Sequence, residues 1–164
     1  MVTRRRSLRI GAIATVVAVA AVAAAVWSGT GVAGARHAMK SPTVTTKKIK
    51  KLGTVLVNSR GLTLYMFVPD HQKRVTCKGQ CAVIWPPLKI KKGRKPTAGG
   101  AARKGLLGTD RNPSGGRVVT YNRWPLYTYI SDSKPGQATG QAIKLNGGYW
   151  YVLSPAGKVI KKKP

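Results

Sequence analysis

Two aspartates at matching places in a repeated motif are the first candidates for chemistry. Asp70 ends the heptapeptide LYMFVPD and Asp132 ends LYTYISD, in a chain of 164 residues with three Asp and no Glu. Two carboxyl groups ~5–9 Å apart form the acid and base of many glycoside hydrolases, and such a pair also binds cations. The structural alternative is that each Asp accepts backbone N–H groups from the turn after its strand. We expect the structural role, because no third acidic residue lies near either motif.

The only two cysteines, Cys77 and Cys81, are the second candidates. Oxidising compartments favour a disulfide, and the N-terminus of this chain resembles an export signal. Four-residue spacing on a helical turn or a Gly-centred loop brings the two Cα atoms within disulfide range. The alternative is a redox or metal-handling module in which His71 joins both thiolates, although zinc sites usually have C-x-x-C spacing. We therefore predict a Cys77–Cys81 disulfide and keep the metal site as the competing hypothesis.

Composition restricts the enzyme classes that remain. The chain has 30 Lys and Arg and two His, with a formal net charge of +27. Most acid–base and metal-dependent enzymes use more Glu, Asp and His than this chain has. The hydrophobic share of 43% is nevertheless sufficient for a folded core. We expect a folded protein with no catalytic residues, no cofactor and no metal.

The basic residues cluster outside the segments that resemble strands. We predict that the following side chains bind polyanions: Lys89, Lys91, Lys92, Arg94, Lys95, Lys161, Lys162 and Lys163. Such clusters attract anionic wall polymers, lipid headgroups or a protein partner in a non-specific, salt-sensitive manner. No pattern indicates sequence-specific nucleic-acid binding. The alternative is that these residues only keep the protein soluble.

The N-terminal 35 residues have the pattern of an export signal. Four arginines precede a run of 17 uncharged residues from Ile10 to Val26, and Ala33-Gly34-Ala35 fits a signal-peptidase site. The uncharged stretch is also long enough for an uncleaved membrane anchor. Either form places the rest of the chain outside the cytoplasm, in the cell envelope or the extracellular space.

The remaining chain divides at its basic segments. Residues 36–51 show no apolar periodicity, which predicts a flexible basic tether. Residues 89–105 combine Gly, Pro and Lys, which predicts a solvated connector. The domain is therefore expected over 52–160, with one half at about 52–88, a second half at about 111–157, and a basic tail at 161–164.

The two halves are related by an internal repeat. At an offset of 62 residues, Tyr65 matches Tyr127, Phe67 matches Tyr129 and Asp70 matches Asp132. The same offset matches Val57 with Val119, and a one-residue slip matches Gly79-Gln80 with Gly140-Gln141. Each half also has a later tryptophan, Trp85 or Trp150. Two copies predict one pseudo-symmetric domain.

The local patterns are those of β-hairpins. Three strand–turn–strand patterns start near Val55, Val118 and Tyr149, and one short helix is expected near Cys81–Ile84. Both faces of the motif strands are apolar, so we expect them to be covered on both sides and paired near a pseudo-two-fold axis. The fold class predicted is an all-β sandwich or small barrel. The ten aromatic residues between 65 and 151 are interpreted as core, with an exposed stacking platform as the alternative.

These motifs together resemble one bacterial family. The doubled Y-x-aromatic-x-x-D pattern is accompanied by CKGQCA from Cys77, WPPL from Trp85, VTYN from Val119, PLY from Pro125 and GYW from Gly148. In this respect residues 52–157 resemble the "secreted repeat of unknown function" family, whose members are often labelled predicted lipoproteins. The resemblance implies export and repeat architecture. It does not imply lipidation here, because no Cys follows the signal region.

Overall fold

The computed structural model describes residues 43–71 and 74–164, and within these ranges the fold is almost entirely β. The expected signal segment and residues 36–42 of the expected tether lie outside the described residues. The described strands are β1 Val44–Ile49, β2 Gly53–Asn58, β3 Tyr65–Phe67, β4 Lys89–Ile90, β5 Leu107–Arg111, β6 Arg117–Tyr121, β7 Trp124–Pro125, β8 Lys144–Leu145, β9 Gly148–Leu153 and β10 Val159–Ile160. One α-helix, α1 Gln80–Ile84, and two 3₁₀ turns, Val68–Asp70 and Lys104–Leu106, complete the described part of the chain.

Antiparallel pairing organises these strands into small sheets. A hairpin is formed by β1 and β2, while β9 lies between β10 and β3 and also pairs with β8. The third sheet has the order β4-β6-β5, with β7 paired to β6. The predicted all-β class, the hairpins near Val118 and Tyr149 and the short helix near Cys81 are confirmed. In the first predicted hairpin, β2 meets the segment before β3 at the bridge between Val57 and Thr63, and β2 forms its strand ladder with β1.

The two motif strands meet at the centre of the molecule. The backbone N–H of Tyr65 donates to the carbonyl of Tyr127 (2.8 Å), and the N–H of Tyr127 donates back to Tyr65 (3.0 Å). On its other side β3 pairs with β9, which belongs to the second half. Residues 126–130 pair instead with 84–88 of the first half, as in the bond from the Ile130 N–H to the Ile84 carbonyl (3.0 Å). Each half therefore gives its motif strand to the other half, and the expected pairing at a pseudo-two-fold axis is confirmed.

Strand alternation separates two buried layers. One layer is aromatic, and its buried members include Tyr65, Phe67, Trp85, Tyr127 and Trp150. The opposite layer is mainly aliphatic, and its members include Leu56, Leu64, Met66, Val119, Leu126 and Leu153. Because successive side chains point to opposite faces of a strand, the motif supplies both layers from the same few residues.

The tether and the connector are more ordered than the sequence predicts. Strand β1 lies within 36–51, and its Val44 and Ile49 are buried while its two lysines remain exposed. In the connector, β4 pairs with β6, and Val44 donates to the Thr97 carbonyl (3.0 Å). Lysines are characteristic of edge strands, where they discourage pairing with another chain, so a Lys-rich segment need not be a loop. The described fold therefore includes β1, which precedes the domain start expected at residue 52.

Candidate functional site

The repeated tyrosines and aspartates form two hydrogen-bonded pairs, and each pair joins the two halves. The Tyr65 hydroxyl donates to Asp132 Oδ2 (2.6 Å), and the Tyr127 hydroxyl donates to Asp70 Oδ2 (2.6 Å). The two aspartates are 0% and 3% exposed. Sequence reasoning predicted the equivalence of these residues but not this exchange between the halves.

Each aspartate also closes its own loop. Asp70 Oδ1 accepts the backbone N–H and the hydroxyl of Thr76, both at 2.7 Å. Asp132 Oδ1 accepts the same two groups from Thr139, at 2.9 and 2.6 Å. The structural interpretation of the aspartates is thus the one the geometry supports, although the accepted N–H groups lie six and seven residues downstream. With both oxygens of each carboxylate engaged inside the fold, the geometry gives no support to the hydrolase interpretation.

Burial keeps the phenols protonated. It raises the pKa of Tyr65 and of Tyr127 above the ordinary value, and the adjoining carboxylate raises both further. Burial also raises the pKa of Asp70 above 3.8, although the hydrogen bonds from Tyr127 and Thr76 lower it. Tyr65 and Tyr127 are therefore protonated hydrogen-bond donors near neutral pH.

A stack of four aromatic rings crosses the same axis. Trp85 and Trp150 are parallel, with ring centroids 3.9 Å apart. Tyr129 stacks on the outer side of Trp85 and Phe67 on the outer side of Trp150, both at 4.1 Å. Each half supplies one tryptophan and one motif ring. The tryptophans and Phe67 are buried and Tyr129 is half-buried, so the stack is core and not an exposed platform.

Cys77 and Cys81 form the predicted disulfide, with their Cα atoms 5.3 Å apart. Both cysteines are largely buried, whereas His71 is exposed on the preceding turn. The bond removes both thiolates as metal ligands. Among residues 43–71 and 74–164, no group of three or more His, Cys, Asp or Glu is arranged to hold a metal ion.

Several of the predicted polyanion-binding residues line one open cleft. Lys89, Lys91, Arg94 and Lys95 lie along it, and the segment around Thr43 and Thr97 forms part of its wall. Lys92 is exposed on the same turn without lining the cleft. The side chains of the tail lysines are exposed, but the tail is anchored, because the Gln141 side-chain amide donates to the carbonyls of Ile160 (2.6 Å) and Lys162 (2.9 Å).

Sequence reasoning missed a second basic pocket. Its described lining residues are Arg74, Val75, Thr76, Lys78, Arg111 and Pro113. Its cations come from two chain segments that lie more than thirty residues apart. The sequence therefore contains no local cluster of basic residues that would predict the pocket. Only knowledge of how β5 lies beside the disulfide loop reveals it.

Comparison with known proteins identifies a family. A family model described as a secreted repeat of unknown function matches residues 46–89 and again residues 108–154. These two ranges together cover more than half of the chain, and they contain both motif strands and both disulfide cysteines. No curated protein and no solved structure matches the chain.

Proposed function

This chain belongs to the family of secreted repeats of unknown function, and from that premise we propose that it is an exported, non-catalytic module that binds anionic polymers or lipid headgroups of the cell envelope. The segments proposed to make the contact are the basic cleft at 89–95 and the tail lysines. The interaction is electrostatic, with no sequence-specific recognition of nucleic acid.

The distribution of charge supports the proposal. Residues 43–71 and 74–164 contain 23 Lys and Arg and all three Asp. Two of these three carboxylates, Asp70 and Asp132, are buried in the tyrosine pairs, where they cannot neutralise the surface. A mainly positive surface attracts polyanions over distances up to about a Debye length, ~8–10 Å at physiological salt.

The single observation that carries the proposal is the basic cleft. Strand β4 pairs with β6 through its backbone, and this pairing fixes the chain while the Lys89 side chain remains exposed. The following turn adds Lys91, Arg94 and Lys95 to the same cleft. Four cations along one groove match the spaced charges of a linear polyanion better than isolated surface lysines do.

Export supports the choice of partner. The family is described as secreted, and the N-terminal 35 residues resemble an export signal. None of the helices in the described ranges has the length and apolar character to cross a bilayer. We propose that the N-terminal segment directs export and that, if it is not cleaved, it anchors the domain at the membrane surface. Wall polymers and anionic lipids would then be the polyanions within reach.

The test is a comparison of two charge-matched variants. In the cleft variant, Lys89, Lys91, Lys92, Arg94 and Lys95 are each changed to Gln. In the control, four lysines and one arginine at other exposed sites are changed to Gln: Lys48, Lys50, Arg60, Lys134 and Lys158.

Binding of the full chain to poly(glycerol phosphate), and to vesicles with and without phosphatidylglycerol, is then measured. We expect the cleft variant to lose affinity at least about tenfold, and the control to lose distinctly less. Deletion of Lys161–Lys163 should add to the loss. Equal losses in the two variants, or equal binding to neutral and anionic vesicles, would contradict the proposal.

A further inference from the structure

We infer that the pocket between residues 74–78 and β5 is a preformed site for one phosphate-class anion group. The inference rests on the proposed function, because it supplies that function with a discrete site for a phosphate of the polymer or lipid. The ligand groups are the side chains of Arg74, Lys78 and Arg111, with Pro113 as a wall.

The pocket brings three cations together without a carboxylate among its described lining residues. Arg74, Lys78 and Arg111 are exposed, so their side chains can retain hydration. Like charges gathered in one pocket repel one another, and a bound anion relieves this repulsion. Arginine also forms paired N–H bonds with phosphate oxygens, which favours phosphate over a spherical anion.

The loop that carries two of these cations is fixed at its middle. Thr76 is held by two hydrogen bonds to Asp70, which is itself held by Tyr127 of the other half. The adjacent Cys77 is tied to α1 by the disulfide. Arg74 and Lys78 flank these anchors on either side. A fixed loop loses less conformational entropy on binding, which raises affinity for a small ligand.

The third cation has a fixed backbone as well. Arg111 is the last residue of β5 and pairs with Arg117 of β6. The Arg117 side chain is already engaged, since its Nε donates to Thr109 Oγ1 (2.6 Å) and its guanidinium also donates to the Thr109 carbonyl (2.7 Å). Arg111 is thus the cation that this end of β5 presents to the pocket.

The second half provides an internal control for this argument. Its loop keeps the same anchor, because Thr139 binds Asp132 as Thr76 binds Asp70. Aligned on these threonines, the positions of Arg74 and Lys78 are occupied by Gln137 and Gln141. The anchor is therefore needed for the fold in both halves, whereas the cations belong to one half only. That difference is what a ligand site on one loop would produce.

Inorganic pyrophosphate is the probe, and binding to the full chain is followed by calorimetry and by backbone amide NMR shifts. The pocket variant carries Arg74→Gln, Lys78→Gln and Arg111→Gln. The matched control carries Arg60→Gln, Arg103→Gln and Lys134→Gln, which removes the same number of exposed arginines and lysines. A third protein, Cys77→Ser with Cys81→Ser, keeps every charge but frees the loop.

We expect one pyrophosphate per chain, with the largest amide shifts at residues 74–78 and 111. The pocket variant should bind at least about tenfold more weakly, and the control should change by less than about twofold. The Cys→Ser protein should also bind more weakly, because its loop must be ordered on binding. Poly(glycerol phosphate) or phosphatidylglycerol vesicles should displace pyrophosphate, and the one that does so identifies the source of the phosphate.

Three results would overturn the inference: equal losses in the pocket variant and the control, amide shifts confined to residues outside the pocket, or no displacement by either phosphate source. These results are distinct from failure of the proposed function. If the polymer binds through residues 89–95 while pyrophosphate does not shift the amide signals of residues 74–78, only the inference about the pocket is contradicted. If pyrophosphate binds in the pocket and the cleft variant binds the polymer with native affinity, only the proposed role of the cleft is contradicted.

Discussion

At the scale of single residues, the scarce carboxylates hold the fold together. Asp70 and Asp132 each accept a phenol from the opposite half and a threonine from their own loop. A chain with only three acidic residues buries two of them in this way. The repeated motif is therefore explained by the joining of the halves and needs no catalytic role.

The hydrogen bonds between the halves can be tested by removing one hydroxyl at a time. Tyr65→Phe leaves Asp132 without its phenol, and Tyr127→Phe does the same to Asp70. Each change should lower the free energy of unfolding by about 1–3 kcal/mol, because a buried carboxylate loses a donor. Urea denaturation measures the loss. Tyr149→Phe, at a tyrosine that is 43% exposed, is the control and should cost less than about 0.5 kcal/mol.

A double-mutant cycle then checks the partners. The loss of unfolding free energy caused by Tyr65→Phe should be non-additive with the loss caused by Asp132→Asn. It should be additive with the loss caused by Asp70→Asn. Coupling of Tyr65 to Asp70, the aspartate of its own half, would show that the exchange between halves is wrong.

The raised pKa of Asp70 predicts how the free energy of unfolding changes with pH in the acid range. Burial favours its neutral form, so the folded protein binds the proton more tightly than the unfolded chain does. The stabilisation from this proton is fully present below the ordinary pKa of 3.8, and it is lost as the pH rises through the higher pKa of the folded state.

The contribution of Asp70 to stability is measured as the difference in the free energy of unfolding between the native protein and Asp70→Asn. Across the window from 3.8 up to the folded pKa, the contribution of Asp70 should decrease as the pH increases. The carboxyl ¹³C shift of Asp70, followed as the pH is changed, gives its folded pKa directly. A folded pKa for Asp70 below 3.8 would contradict this account.

At the scale of elements, the disulfide is expected to fix one loop and not the whole fold. It closes a ring of only five residues next to α1, for which chain entropy predicts about 2 kcal/mol. Cys77→Ser with Cys81→Ser should keep the β-sheet spectrum and lose hydrogen-exchange protection around residues 74–85. Protection in β9 should change little, because backbone pairing with β3, β8 and β10 holds β9 in place. Loss of all folded structure would show that the bond does more than this.

The exchanged strands predict that neither half folds alone. A fragment ending at residue 105 contains β3 without β9, and a fragment starting at 106 contains residues 126–130 without 84–88. Each fragment should lack a cooperative unfolding transition, and mixing the two should restore one. Circular dichroism during heating would show the transition. A cooperative transition in either isolated fragment would contradict the exchanged arrangement.

Much of this arrangement follows from the sequence. Alternation identifies the hairpins and the two faces of the motif strands, because a strand has a side-chain period of two. Periodicity says nothing about which strand lies alongside, so the pairing of β3 with the second half and the tyrosine–aspartate exchange are not predictable from it. Strand β1 was missed because its exposed lysines resemble a loop.

The internal alignment also shows where sequence offsets fail. The 62-residue offset holds for the motif, but the Leu64 N–H donates to the Leu56 carbonyl while the Leu126 N–H donates to Val119. In the first repeat, Leu56 and not Val57 therefore occupies the position that Val119 occupies in the second repeat. The reason is that the first turn is one residue longer. A one-residue slip turns every side chain to the other face, so the longer turn preserves the aliphatic layer.

Downstream of the motif, the shared contact with aspartate aligns Thr76 with Thr139. Read without a gap, this equivalence sets Gly140 against Cys77, whereas the predicted match of Gly79-Gln80 with Gly140-Gln141 requires a gap of two residues after the threonine. Gln80 is exposed on α1, whereas Gln141 is buried and its Oε1 accepts the N–H of Val152 (2.8 Å). The two glutamines therefore lie in different environments, and their match at the sequence level stays a prediction.

At the scale of the whole molecule, the fold separates charge by sign. The aromatic layer and the tyrosine pairs enclose two carboxylates, while the described lysines and arginines remain at or near the surface. We propose that such a protein associates with polyanions by releasing their counterions, and we expect its affinity to fall as salt rises. This property belongs to the charge distribution as a whole, and the basic cleft is where we propose that it is concentrated.

The most direct test of this account is the salt dependence of binding to poly(glycerol phosphate), measured by titration of the native protein and of the cleft variant. For the native protein the logarithm of the affinity should fall linearly with the logarithm of salt concentration, with a loss on the order of a thousandfold between ~50 and ~200 mM if about six phosphates are contacted. The cleft variant should give a shallower slope, because fewer counterions are released. A native affinity that does not change with salt, or an unchanged slope in the variant, would contradict the account.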